Sequence, residues 1–153
     1  MAASMMNGAL KLGIECCRRG DWNEGLHHLG KIAERGEGGS DLPGLFYSYL
    51  GYGIALREQR VREGLTLCHH SIKVEFYQVE NYVNLARTCL LAKDPKGAVR
   101  AIRAGMKVDS HNPELLVLYR DLGIRSLPVL PFLDRSNFLN QILGRMRHAL
   151  RKG

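Results

Sequence analysis

A Leu-small dipeptide returns four times along the chain at nearly even spacing: Leu12-Gly13, Leu50-Gly51, Leu85-Ala86 and Leu122-Gly123. The intervals between the leucines are 38, 35 and 37 residues (12 to 50, 50 to 85, 85 to 122). A period of a few tens of residues indicates copies of one supersecondary unit, each of which must bury its apolar face against its neighbours. The flanking positions recur as well. Ala9, Tyr47, Tyr82 and Tyr119 stand three residues before the leucines, and Cys16, Ile54 and Cys89 stand three after the first three small residues. A second small residue follows at Gly25, Gly64 and Ala98, each with an apolar residue four places on, at Leu29, Cys68 and Ile102.

The unit is helical. Apolar residues recur at three- and four-residue intervals with no run of period-two alternation, and only Pro43 and Pro95 interrupt the first 112 residues. Gly20-Asp21 and Asp94-Pro95 separate the two helices of a unit, and Asn112-Pro113 opens another helix, proline being tolerated in a first turn. The pattern predicts helices over 5–19, 22–35, 43–57, 61–74, 78–92, 95–108, 113–123 and 137–151. Glycine inside a helix costs about 0.5–1 kcal/mol relative to alanine. Gly13, Gly25, Gly51 and Gly64 at equivalent places therefore imply helices that cross closely enough to offset that cost.

This pattern resembles the tetratricopeptide repeat, whose signature includes a bulky aromatic, a Leu-Gly pair, a tyrosine, an alanine, a second aromatic and a closing proline. The resemblance covers about 120 of the 153 residues, and the copy over 82–112 matches best in spacing. Cys16, Ile54 and Cys89 stand where the family has tyrosine, one extra residue lies near Val61, and the first linker, 36–41, is long. The resemblance implies an all-α, right-handed superhelix of about three antiparallel helix pairs over residues 1–125, followed by a C-terminal capping helix. It further implies a non-enzymatic adaptor or chaperone-like module that binds a protein segment in its concave groove, as short bacterial secretion chaperones of this kind do.

Stacked helix pairs give a curved surface whose inner wall is built by the first helix of each pair. Residues one after and three before each small residue should face that groove: Leu10, Ile14, Ser48, Tyr52, Val83, Arg87, Arg120 and Ile124, with Asn84 nearby. Ser48, Tyr52, Val83, Asn84, Arg87 and Arg120 are the expected partner contacts. An apolar wall with aromatic and cationic points suits a peptide carrying an acidic or C-terminal carboxylate group.

Other chemistry has little support. Adjacent histidines on a helix point about 100° apart, so neither His27-His28 nor His69-His70 chelates a metal from one face. No glycine-flanked nucleophile turn or phosphate loop is present, so no enzymatic activity and no cofactor or metal are expected. Cys16, Cys17, Cys68 and Cys89 form no C-x-x-C pair, and together with an N-terminus lacking a basic region before its apolar residues they predict a cytoplasmic chain with reduced thiols. No apolar run approaches the roughly 18 residues of a membrane span.

Residues 126–153 form a second region. Of 22 basic and 15 acidic residues in the chain, 7 and 2 lie in 120–153, so most of the net charge of +7 sits there. Two prolines, Pro128 and Pro131, make 126–133 an extended apolar strap. Phe138, Leu139, Ile142, Leu143, Met146 and Leu150 then form one helical stripe beside Arg145, Arg147, Arg151 and Lys152. Two placements are open: docking on the chain's own repeats as a cap, or exchange with a second copy to give a homodimer. The alternative function is contact with nucleic acid or an anionic membrane through this basic region, although it holds few of the aromatic residues that stack on bases. If the strap and helix cover the last repeat, deleting 126–153 should lower the melting temperature clearly or cause aggregation. A truncated chain of unchanged stability and solubility would contradict the capping role.

Overall fold

A computed structural model describes residues 2–36 and 42–123, which contain seven α-helices and no strand. They are α1 (Ala2–Arg18), α2 (Trp22–Glu34), α3 (Gly44–Arg57), α4 (Val61–Val74), α5 (Val79–Leu91), α6 (Pro95–Val108) and α7 (Pro113–Asp121). Residues up to Leu122 form one compact unit. The expected helix over 137–151, the strap over 126–133 and the division at 125 lie outside the described residues.

α1 packs on α2, α3 on α4 and α5 on α6, so consecutive helices form the expected pairs. The pairs are joined by the first helix of each: α3 rests on α1 and α2, α5 rests on α3 and α4, and α7 lies on α6. α3 and α5 therefore meet neighbours on several sides. Six consecutive residues of α5, 81–86, are buried.

The second small residue of each unit is the partner of the first. A Cβ built on Gly51 would lie 2.7 Å from the Gly64 carbonyl oxygen, and one on Gly64 would lie 2.4 Å from the Gly51 oxygen. The backbones of α3 and α4 touch there, so only glycine fits. At the α1–α2 crossing a Cβ on Gly25 would meet Cys17 Sγ at 2.3 Å and the Gly13 oxygen at 3.0 Å. In the third pair alanine takes both places, with Ala86 and Ala98 completely buried.

The helix ends repeat too. After α1, Asp21 N–H donates to Cys16 O (2.9 Å) and Gly20 N–H to Cys17 O (3.0 Å), with Gly20 at φ +86°. After α5, Asp94 N–H donates to Cys89 O (2.9 Å) and Lys93 N–H to Leu90 O (3.0 Å), with Lys93 at φ +57°. Both are left-handed caps of the Schellman type. The extra residue in the second unit appears here: Arg60 N–H reaches back six residues to Ile54 O at 3.4 Å, around Gln59 at φ +58°. Asp94 and Asn112 cap α6 and α7 by accepting from Gly97 N–H (2.9 Å) and Leu115 N–H (3.1 Å).

The fourth Leu-small pair differs from the first three. α7 ends at Asp121 instead of 123, and Gly123, at φ +58°, lies beyond it with open space around its Cα. It stops a helix where the other three sit inside one. The residue of α7 that packs tightly is Leu115, fully buried, with a methyl group 2.8 Å from where a Gly105 Cβ would be. Leu12 likewise departs from Leu50 and Leu85, being 46% exposed because α1 has no preceding helix pair among the described residues.

Between α3, α4 and α5 runs a buried polar line. Asn84 Nδ2 donates to Ser48 Oγ (3.1 Å), Thr88 Oγ1 to Asn84 O (2.7 Å), and Ser71 Oγ to Cys68 O (2.7 Å). Asn81 Nδ2 donates to Glu75 O (2.9 Å) and Ser71 O (3.3 Å), while its Oδ1 is buried without a partner.

Gly51→Ala or Gly64→Ala should cost about 1–3 kcal/mol, because the added methyl meets backbone that cannot rotate away. Gly30→Ala in α2, where a Cβ meets nothing within 4 Å, should instead stabilise by about 0.5–1 kcal/mol. Opposite shifts of the urea midpoints would confirm the crossing, and equal shifts would contradict it.

Candidate functional site

A cleft of about 400 Å³ is lined by Cys17, Arg18, Trp22, Tyr49, Val79, Glu80, Arg87, Asn112 and Glu114. α1 supplies its residues from the last turn, α3 from mid-helix, α5 from its first turn and again two turns on, and α2 and α7 from their starts. Trp22, the only tryptophan, packs edge-on against Tyr52 (5.0 Å between centroids) and tilted against Tyr49 (6.2 Å). Arg87 lies over the Tyr52 ring, 5.8 Å from its centroid.

Two ion pairs cross the cleft and differ in kind. Arg18 grips Glu80 with both ends of its fork, Nε to Oε2 at 3.0 Å and Nη2 to Oε1 at 2.7 Å, and the Tyr49 hydroxyl donates to the same carboxylate. One side chain thus ties α1, α3 and α5 together across 62 residues of sequence. Burial by itself raises the Glu80 pKa. The hydrogen bonds from Arg18 and Tyr49 and the Arg18 charge outweigh it and hold the carboxyl below its ordinary 4.5. Burial, and then the bond to Glu80, push the Tyr49 hydroxyl upward. The second pair is simpler: Arg87 Nη2 contacts Glu114 Oε2 at 2.5 Å, with side chains 32% and 45% exposed.

The available hydrogen-bonding capacity is mostly donor. Glu80 has both oxygens engaged. Arg87 uses one nitrogen on Glu114, and Asn112 uses its oxygen on Leu115 N–H, which leaves the other guanidinium N–H groups and the Asn112 amide hydrogens for something else.

Of the residues expected to face a groove, Tyr52 and Arg87 are half-buried beside this cleft and touch each other. Ser48, Val83 and Asn84 are 0–1% exposed and cannot present side chains to a partner. The reason is the packing of α5 on α3: positions three before each small residue lie in that seam, and Asn84 joins them through Ser48. Leu10, three before Gly13, and Ile14, one after it, are both core residues of α1. Arg120 is exposed, pairs with neighbouring Asp121 (3.5 Å) and is not among the cleft residues. Ile124 lies outside the described residues. Sequence reading missed Arg18, Trp22, Tyr49, Glu80, Asn112 and Glu114; a lone tryptophan directly after the Gly20-Asp21 break was the one available signal.

The thiols are buried, and that burial pushes Cys17 and Cys68 up to about 12 and Cys89 upward. Among the described residues no three His, Cys, Asp or Glu side chains gather as metal ligands, and no helix is long and apolar enough to cross a membrane. His28 contacts Glu24 at 3.1 Å, and His70 stands edge-on to Tyr47 at 4.5 Å. No family model matches the chain, and no curated protein is significantly similar to it.

Glu80 makes the cleft acid-sensitive. Its folded pKa is depressed, so its stabilisation is present above about 4.5 and is lost as pH falls through the folded value. Wild type should exceed Glu80→Gln in stability by about 1–2 kcal/mol at neutral pH, a reduced figure because Arg18 is partly exposed and screened by solvent. The gap should close as pH drops below about 4.5. Denaturant melts at neutral pH and in this acidic range would measure it; a constant gap would contradict the role assigned to the carboxylate.

Proposed function

We propose that this chain is a protein-interaction module of tetratricopeptide-like build, without enzymatic activity, and that it receives an acidic peptide segment in the cleft between α1, α3, α5 and α7. The observation that carries this reading is the surplus of unused donors: both oxygens of Glu80 are engaged, while Arg87 and Asn112 retain N–H groups beyond the bonds they make. A carboxylate supplies the missing acceptors and forms charge-assisted bonds. Trp22, Tyr49 and Tyr52 supply the flat, rigid surface on which peptide side chains gain most at interfaces, and tryptophan, tyrosine and arginine dominate interface energetics.

The three-pair superhelix remains part of this proposal. Its supports are the recurring caps at Gly20 and Lys93, the small-residue crossings, and the way each first helix rests on the preceding pair. The cytoplasmic assignment rests on four free buried thiols and stands on the same footing.

A glutamate-rich peptide titrated against the intact chain, read by Trp22 fluorescence, tests the reading. Binding should saturate, weaken with added salt, and fall about tenfold or more in Kd for Arg87→Ala and for Tyr52→Ala. Each variant should lose no more than about 1–2 kcal/mol of stability. Binding that survives both changes together would place the site elsewhere.

A further inference from the structure

The two carboxylates of the cleft hold their arginines with different tenacity. Glu80 accepts two bonds from Arg18 and one from Tyr49, has a side chain 23% exposed, and ties three helices. Glu114 accepts one bond, from Arg87, with a side chain 45% exposed on the first turn of α7. It has no second donor like Tyr49. Exposed single-contact pairs contribute at most about 1 kcal/mol, so an incoming carboxylate can displace such a partner where it could not displace Glu80.

Arg87 is also the residue worth uncovering. Its guanidinium lies over Tyr52, which packs on Trp22, so an anion received there sits beside the aromatic wall with the Asn112 amide within the same cleft. We infer that Glu114 is a built-in competitor of the peptide's carboxylate: it occupies Arg87 in this structure, and an acidic peptide binds by taking its place. This inference rests on the cleft reading and adds to it the residue that limits affinity and selects for acidic ligands. A ligand without a carboxylate has nothing to exchange for the Arg87–Glu114 pair and must break it uncompensated.

The test compares wild type, Glu114→Gln, Arg87→Gln and the double variant, each titrated with a glutamate-rich peptide and with the same peptide carrying glutamine instead. Melting curves of all four chains show whether they remain folded. Glu114→Gln keeps the size of the side chain and removes its charge. It should bind the acidic peptide about two- to fivefold more tightly, the factor that corresponds to an exposed ion pair. The gain should vanish in the double variant, and the glutamine peptide should show a smaller gain than the acidic one. If wild type binds the acidic peptide through Arg87 but Glu114→Gln binds no more tightly, the competitor role is overturned while the cleft reading stands. If neither wild type nor Glu114→Gln binds the acidic peptide, or if binding ignores Arg87, the cleft reading falls and the competitor role with it.

Discussion

The contact of backbone on backbone at the Gly51–Gly64 crossing is the constraint from which the rest follows. Helices whose axes are held apart by leucines and valines pack through side chains, and their separation varies with whichever residues meet. Where two glycines face each other, the helix surfaces themselves meet, and the distance becomes a property of the backbone. The α3–α4 pair is thereby a rigid unit, and α5 docks against both of its members. Every later placement, including that of Glu80 and Arg87 on α5, is referred to that unit.

How α5 is positioned on it is decided by polar groups. Ser48, Ser71, Asn81, Asn84 and Thr88 are fully buried, where an unpaired amide or hydroxyl costs about 1–3 kcal/mol. Sliding α5 by one residue would separate Asn84 from Ser48 and Asn81 from the carbonyls of Ser71 and Glu75. An apolar seam would tolerate that slip far better. The polar line therefore acts on register more than on overall stability, and Asn81, with its oxygen unpaired, shows that the arrangement is not fully satisfied even so. Correct register places Arg87 over Tyr52 and Glu80 within reach of both Arg18 and Tyr49.

The fold was legible from local features, since periodicity, caps and small residues act within a few positions of one another. Five of the seven described helices start and end within one residue of their expected bounds; α1 begins at Ala2 and not at residue 5, and α7 ends at Asp121, two residues early. Gly123 was misread because a glycine inside a helix and a glycine just after one leave the same trace in sequence, and only the φ of +58° separates them. The site was less legible. Tyr52 and Arg87 stand half-buried beside the cleft, each following its small residue on the side away from the partner helix. Ser48, Val83 and Asn84 are buried where the sequence suggested exposure, because the crossing between successive pairs, which decides whether a position three back is covered, depends on contacts 36 residues apart such as Asn84 with Ser48. Glu80 is the extreme case, its role being set by Arg18, 62 residues away.

Charge illustrates the same difference between composition and geometry. The chain as a whole carries +7, which would suggest attraction to any anion. The cleft itself holds two arginines and two glutamates and is neutral by count. Long-range attraction, screened over about 8–10 Å at physiological salt, can bring an acidic partner towards the molecule but cannot choose where it binds. Within the cleft, the charges differ in how far they are already committed. Arg18 is committed twice over to Glu80, which in turn is held by Tyr49; Arg87 is committed once, to an exposed side chain on the short helix α7. The cleft therefore contains one arginine that is part of the framework and one that is held by a single exposed contact.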